Sequence, residues 1–376
     1  MTFTPIIAKL PSAVPFVGPE ALERRSGSPI HARIGANESV FGPSPKAIAA
    51  MQAAAPESWQ YGDPENHDLK LAIAKAVGVA PENIACGEGI DGLLGLVVRL
   101  FIEPGDAVAT SLGAYPTLNF HVAASGGKLL TTPYVNDHED PASLLKLVKT
   151  ENAKLLYFAN PDNPMGSVWP ARDVQQFINA VPESCTVILD EAYVEFAPEG
   201  TAPDIDVNRK NLLRFRTFSK AYGLAGIRVG YVIGHPEIIS AFDKIRNHFG
   251  ISRISQAGAI AAIQDQDWVA HVKSEVIKAR YRIAEIARAN NLIPLPTATN
   301  FMCIDCGRDG AYAKSIVEGL LKHGIFIRMP GVAPQNRCIR ISCGDKKSLD
   351  RLAEALPLVL ACDSGRGRDP SPAMGR

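Results

Sequence analysis

Six short apolar runs, at residues 84–86, 107–110, 155–159, 186–189, 213–217 and 229–233, alternate along the chain with stretches whose apolar residues recur at helical spacing. Runs this short and this continuously apolar read as strands covered on both faces, with helices carrying the chain back so that neighbouring strands lie parallel. The pattern predicts an α/β chain built on a large, doubly wound, mostly parallel sheet. Sheets of that kind bind their ligands outside the carboxyl ends of the strands. Here those ends are polar: Asn160-Pro-Asp-Asn163 follows one run, Asp190 closes another, and Thr217, Ser219 and Lys220 follow a third.

That third run leads into Arg216-Thr-Phe-Ser-Lys220-Ala-Tyr-Gly-Leu-Ala-Gly-Ile-Arg228-Val-Gly230. A lysine after a strand is ordinarily a solvated surface residue. Its neighbours argue otherwise here, because a turn carrying Gly223, Gly226 and Gly230 can bring Arg228 back beside it. A lysine that is desolvated or flanked by positive charge loses its proton more readily and becomes a nucleophile toward an aldehyde. Thr217, Ser219 and Arg228 together read as a cradle for an anion. An aldehyde and a phosphate on one molecule describe pyridoxal 5'-phosphate.

The stretch from Thr217 to Tyr231 resembles the Schiff-base segment of fold-type I pyridoxal-phosphate-dependent aminotransferases, specifically the histidinol-phosphate aminotransferase-like group, and the resemblance extends over about residues 33–345. It implies that Lys220 holds the cofactor and serves as the catalytic base. The other motifs can be read in chain order, each against a plainer alternative.

Residues 1 to about 35 are proline-dotted and irregular, an arm expected to pack on a neighbouring domain or subunit. They run into Asn37-Glu-Ser-Val-Phe-Gly-Pro-Ser-Pro45, which is similar to a substrate-side segment of the group and places Asn37 there; Pro45 is suited to open a helix over 46–54. In Trp59-Gln-Tyr61-Gly-Asp-Pro64, Tyr61 is either an anchor for a loop with buried rings or, by resemblance, a tyrosine that reaches the cofactor phosphate of the other subunit. Gly87-Glu-Gly89-Ile90-Asp91 stands between a strand and a helix, where unpaired backbone N–H groups suit a phosphate. It also reads as a simple turn. The group's small or hydroxyl residue is replaced by Ile90, so only the backbone contact carries over.

Tyr115 matches the aromatic that stacks on the cofactor ring, or is an ordinary half-buried tyrosine. By the same resemblance Asn163 and Tyr193 donate to the cofactor's phenolic oxygen, with Met165 standing where the group usually has threonine. Asp190, at the end of an apolar strand, is costly to bury alone. It either caps the next helix or partners a protonated pyridine nitrogen, keeping the ring an electron sink. Arg328 and Arg340 lie in alternating strand patterns and either point to solvent or, as the resemblance implies, hold a substrate carboxylate or phosphate.

The length of 376 residues and the later change of pattern predict a second, smaller α+β domain. The expected organisation is an arm over 1–35, a large cofactor-binding domain over 36–250, a small domain over 251–361 and a polar, disordered tail over 362–376. With 39 basic and 39 acidic residues the net charge is zero, which removes any argument for nucleic acid or an anionic membrane as partner. The seven cysteines include Cys303-Ile-Asp-Cys306, but no second pair at zinc-ribbon spacing follows, so reduced thiols and no metal are expected. Without a signal-peptide layout or a long apolar run, the chain reads as cytoplasmic. The function that the resemblance implies is transfer of an amino group from an amino acid or a histidinol-phosphate-like amine to a 2-oxo acid through a Lys220 Schiff base, by a homodimer with shared active sites. A different α-amino acid donor, aromatic ones included, or a decarboxylase or lyase on the same fold, stands as the alternative.

Overall fold

The structure, a computed structural model, describes residues 3–11 and 17–364. Pro15 and Phe16 of the expected arm, and positions 365–376 of the expected tail, lie outside the described residues. The chain divides into two compact units: Met1–Ala13, Glu38–Val276 and Pro296–Asn300 form the first, and Val14–Asn37, Ile277–Leu295 and Phe301–Arg376 the second.

The first unit is built on a seven-stranded sheet. Its strands are β1 (Ile84–Gly87), β2 (Ala107–Ser111), β3 (Lys128–Thr132), β4 (Leu155–Ala159), β5 (Thr186–Asp190), β6 (Leu212–Thr217) and β7 (Gly230–Ile233). They lie side by side in the order β1-β7-β6-β5-β4-β2-β3, and every pair is parallel except those that β7 makes with β1 and β6. This is the predicted sheet with one addition. Strand β3 escapes sequence reading because it is an edge strand with Lys128 and Thr131 exposed, so its pattern is not continuously apolar.

Helices Pro141–Glu151 and Ala171–Ala180 cover part of one face, where Leu144, Val148, Val174, Phe177 and Ile178 pack on Phe158, Val187 and Leu189. The Phe158 and Phe177 rings meet edge to face at 5.1 Å. Pro45 opens helix Pro45–Ala54, with Ser44 Oγ accepting from Ala47 N at 3.0 Å. Helix Arg253–Gln264 belongs to this unit, whereas the sequence boundary at 250 put it in the other. The reason is side-chain packing: Gln256 Nε2 donates to Asp63 O and to Asn66 Oδ1, both at 2.8 Å, and Gly258 lies so close to Met51 that a Cβ there would be 2.7 Å from it.

In the second unit, Ile293–Pro294, Phe301–Asp305 and Cys338–Ser342 form an antiparallel sheet, with Cys303 opposite Arg340. Ala32–Arg33 pairs in parallel with Ile325–Phe326, which draws residues 17–37 into this unit and not into a separate arm. The alternating pattern before Arg328 forms a two-residue strand, Ile325–Phe326, followed by a single bridge between Arg328 and Arg340. Helix Lys346–Ser364 continues three residues past the expected start of the tail, carried by buried Leu349, Leu352, Leu356 and Val359 on its inner side. Among the described residues no helix is long and apolar enough to cross a membrane, and no cluster of three or more His, Cys, Asp or Glu side chains could hold a metal.

Candidate active site

At or just past the carboxyl ends of β4, β5 and β6 stand Asn163, Asp190, Tyr193, Thr217, Ser219 and Lys220. Lys220 is partly buried just beyond β6, and its Nζ lies 5.6 Å from the centroid of the Tyr193 ring. Tyr193 itself is 3% exposed, and Asn163 Nδ2 donates to its hydroxyl at 3.4 Å. Two chain segments thus converge on one phenol next to one amine. Asn160, the other asparagine of its turn, is structural: its side chain bridges Trp169 and the Thr201 carbonyl.

Asp190 ends β5 and is 5% exposed. It caps no helix, since the next helical turn, Val194–Phe196, begins after Tyr193. Oδ2 accepts from Tyr157 Oη at 2.7 Å and Oδ1 from the Ala192 N–H at 2.9 Å. Burial pushes the Asp190 carboxyl up to about 6, against the pull of those two donors. No basic side chain among the described residues forms an ion pair with it.

The anion cradle is assembled from three segments. Arg228 sits in the left-handed region at φ 53°, and Nη1 donates to Ser219 Oγ at 3.3 Å and to the Ala225 carbonyl at 3.0 Å. Thr217 Oγ1 accepts from the Ser219 N–H at 3.0 Å, which fixes the turn. Helix Gly89–Phe101 begins alongside with no side-chain cap on its first N–H groups. Gly230 lets β7 approach that helix start, because a Cβ there would be 2.9 Å from Ile90 N. Asp91 carries its carboxylate 3.6 Å from Arg228 Nη2 and accepts from Tyr115 Oη at 2.9 Å, so only its backbone faces an incoming anion with the right sign. Burial, with the Asp91 charge, pushes the Tyr115 phenol up, so it stays a neutral donor.

Tyr61 is 75% exposed and Trp59 81%, so this loop is not anchored by buried rings; Tyr61 rests on Phe249, ring centroids 4.6 Å apart. The remaining predicted residues are in the second unit. Asn37, 2% exposed, exchanges two 2.9 Å hydrogen bonds with Ser342. Arg328 and Arg340 exchange backbone hydrogen bonds of 3.2 and 2.6 Å, which makes them directly opposite each other. Both are half-buried, so the solvent-pointing alternative fails for each. Their guanidiniums sit over the Phe326 and Phe301 rings, at 5.5 and 5.1 Å. Two like charges opposite one another are unfavourable unless an anion joins them.

Sequence reasoning missed the polar groups beneath these residues. Glu139, 1% exposed, accepts from Ser111 Oγ at 2.7 Å and from the Ala159 N–H at 2.9 Å. Asp162 accepts from Tyr134 Oη at 2.8 Å. On the other side of Asp190, Glu191 is 1% exposed and takes Arg214 through both oxygens, at 2.6 and 3.0 Å, and Arg216 Nε at 2.9 Å. The available signal was a phenol, an arginine or a carboxylate inside an otherwise apolar run, which has to find a partner when buried.

The sequence model for "Aminotransferase class I and II" matches residues 32–356. The chain belongs to the class I and II aminotransferase family. Among curated aminotransferases, it is 35% identical over 95% of its length to a histidinol-phosphate aminotransferase of Anaeromyxobacter sp. (strain Fw109-5), covering 98% of that protein. It is 33% identical to one of Staphylococcus haemolyticus, over 91% of this chain and 95% of the other. A solved histidinol-phosphate aminotransferase of Sinorhizobium meliloti, in complex with pyridoxal 5'-phosphate, is 56% identical and superimposes with a TM-score of 0.94 over 96% of this chain and 98% of that one. The aspartate aminotransferase of Thermus thermophilus with maleate, 21% identical, shares the fold with a TM-score of 0.78 over 96% of this chain and 100% of that one.

The residues of this aminotransferase suit pyridoxal phosphate on their own chemistry. Asp190 is a buried carboxylate without a basic side chain, which a protonated ring nitrogen would neutralise. The uncapped helix start, Ser219 and Arg228 present donors to a phosphate. Gly89, at φ 78°, keeps that space open. Lys220 supplies the amine.

Proposed function

We infer that the chain is a pyridoxal-phosphate-dependent aminotransferase whose amino donor is histidinol phosphate and whose acceptor is a 2-oxo acid. The observation that carries this reading is the Lys220 amine 5.6 Å from the Tyr193 ring, with Asn163 donating to the same tyrosine. Bound pyridoxal phosphate supplies an aldehyde and a cationic ring that withdraws electrons.

The protein's own work is positioning and proton transfer. Asp190 would accept a hydrogen bond from the protonated ring nitrogen and so keep the ring cationic. Asn163 and Tyr193 would donate to the phenolic oxygen, and Tyr115 would stack on the ring. Thr217, Ser219, Arg228 and the backbone of 89–91 hold the phosphate, joined by Tyr61 of a second copy in a homodimer. Lys220 Nζ takes the proton from the donor carbon that bears the amino group. In the return half it delivers a proton to C2 of the oxo acid. The Lys220 amine would be engaged in holding the cofactor until substrate is bound, so it would serve as a base only then.

Arg328, Arg340 and Asn37 are the substrate contacts in this reading. The opposed guanidiniums offer a planar set of donors suited to a phosphate, and the curated relatives named above are histidinol-phosphate enzymes. The partners are small molecules and a second copy of the chain, and the place of action is the cytoplasm. Single-turnover mixing of the holoenzyme with histidinol phosphate, aromatic amino acids, glutamate and alanine tests the donor. Histidinol phosphate should react fastest; a faster reaction with an aromatic amino acid would reassign the arginine pair to a carboxylate.

A further inference from the structure

Tyr157 occupies a position that neither its sequence nor the proposed mechanism explains. It lies within β4 in the run Leu155-Leu-Tyr-Phe-Ala159, all five residues buried. An aliphatic side chain would fill such a site without a polar atom to satisfy. The register accounts for the phenol. Ala159 is the direct cross-strand partner of Asp190, and Tyr157, two residues earlier, is on the same face and diagonal to it. From there its ring is long enough to place Oη 2.7 Å from Asp190 Oδ2.

The setting makes that contact consequential. Asp190 Oδ1 is taken by the Ala192 N–H, so its two oxygens are tethered from different directions and the carboxyl plane is fixed. Glu139 and Asp162 lie in the same buried region, and Glu139 is tied to β4 itself through the Ala159 N–H. Burial, with the charges of Asp91 and Glu191, makes an ionised Asp190 harder to sustain. A neutral hydroxyl donating to Oδ2 stabilises the anion without adding a cation that would compete with a ring nitrogen.

We propose that Tyr157 is a positioning residue: through its hydroxyl it holds Asp190 oriented and ionised, so that the cofactor's ring nitrogen stays protonated. This rests on the reading that Asp190 faces that nitrogen. Tyr157 touches neither cofactor nor substrate in this role.

The test is the nitrogen resonance of pyridoxal phosphate labelled with 15N in the ring, bound to wild type, Tyr157→Phe and Asp190→Asn. Wild type should show the protonated position and Asp190→Asn the neutral one. Tyr157→Phe should move clearly toward neutral, with kcat lowered about tenfold and KM for the amino donor little changed. A hydroxyl with only a structural role would lower the melting temperature of the apoprotein and leave the nitrogen resonance where it is. If Asp190→Asn shifts the resonance and Tyr157→Phe does not, the proposal is overturned while the reading of Asp190 stands. If Asp190→Asn matches wild type, that reading fails and the proposal with it. Should Tyr157→Phe not fold, 3-fluorotyrosine placed at position 157 alone keeps the hydroxyl. Its fluorine resonance should shift when pyridoxal phosphate is added to the apoprotein and stay fixed in the Asp190→Asn background; a fluorine that ignores the cofactor overturns the proposal.

Discussion

Gly89 leaves open the space into which Arg228 reaches: a Cβ on Gly89 would lie 2.5 Å from Arg228 Nη2. The glycine also has φ 78°, a backbone conformation that costs other residues about 1 kcal/mol or more. The clash is with the end of a flexible side chain, so Gly89→Ala should fold and displace the guanidinium. The expected result is a modestly lower melting temperature and affinity for pyridoxal phosphate weakened by about tenfold, the loss of roughly one charge-assisted hydrogen bond. Titration of the apoprotein by fluorescence measures it. Unchanged affinity would remove Arg228 from the phosphate site.

The Glu191 carboxylate lies 2.6 Å from Arg214 and 2.9 Å from Arg216. Burial pushes its carboxyl up, but the Arg216 and Arg214 charges outweigh this and hold it below the usual range. Glu191→Ala strands two guanidiniums, one of them only 2% exposed, and should cost about 3–5 kcal/mol in urea unfolding. A cost under about 1 kcal/mol would mean that water replaces the carboxylate.

Much of this was legible in the sequence, for a physical reason. Strands covered on both faces are continuously apolar, so β4, β5 and β6 announce themselves, and a polar residue at the end of such a run has to serve something. Strand β3 did not announce itself because one edge meets solvent. Asp190 and Lys220 could be named for the same reason, as polar residues at or just past the end of buried runs, whereas Asn163 and Tyr193 were named through the family resemblance. Tyr157, Glu139 and Arg214 could not be assigned a role: their partners come from other strands, and cross-strand register is not written in either strand alone. The boundary at 250 likewise missed that Gln256 and Gly258 tie their helix to residues 51–66, contacts far apart in sequence.

Glu139 gives a pH prediction with a definite sign. Burial, with the Asp162 charge, pushes its carboxyl well above the ordinary value of 4.5, against donors from Ser111 and Ala159. A group whose value rises on folding contributes its stability below the unfolded value and loses it as pH climbs through the folded one. Wild type should therefore lose melting temperature with rising pH, from 4.5 upward, more steeply than Glu139→Gln, which keeps an acceptor for the Ala159 N–H and carries no proton to lose. Parallel melting curves across the pH range check it. Identical slopes would show that Glu139 is ionised throughout.

Tyr61 is 75% exposed, and its assigned role requires a second copy. Mixing inactive Lys220→Ala with Tyr61→Phe should yield heterodimers in which one site carries both defects and the other neither. Activity should rise on mixing, and light scattering should report a dimer. No recovery, or a monomer, would withdraw Tyr61 from the phosphate site.

The most direct test of the account is borohydride reduction of the holoenzyme followed by peptide mass mapping, before and after addition of histidinol phosphate without an oxo acid. The phosphopyridoxyl mass should appear on Lys220 before the donor is added and disappear afterwards, as the cofactor leaves the lysine in its amine form. A label on another lysine, no label at all, or a label on Lys220 that persists with histidinol phosphate and every other amino donor would contradict it.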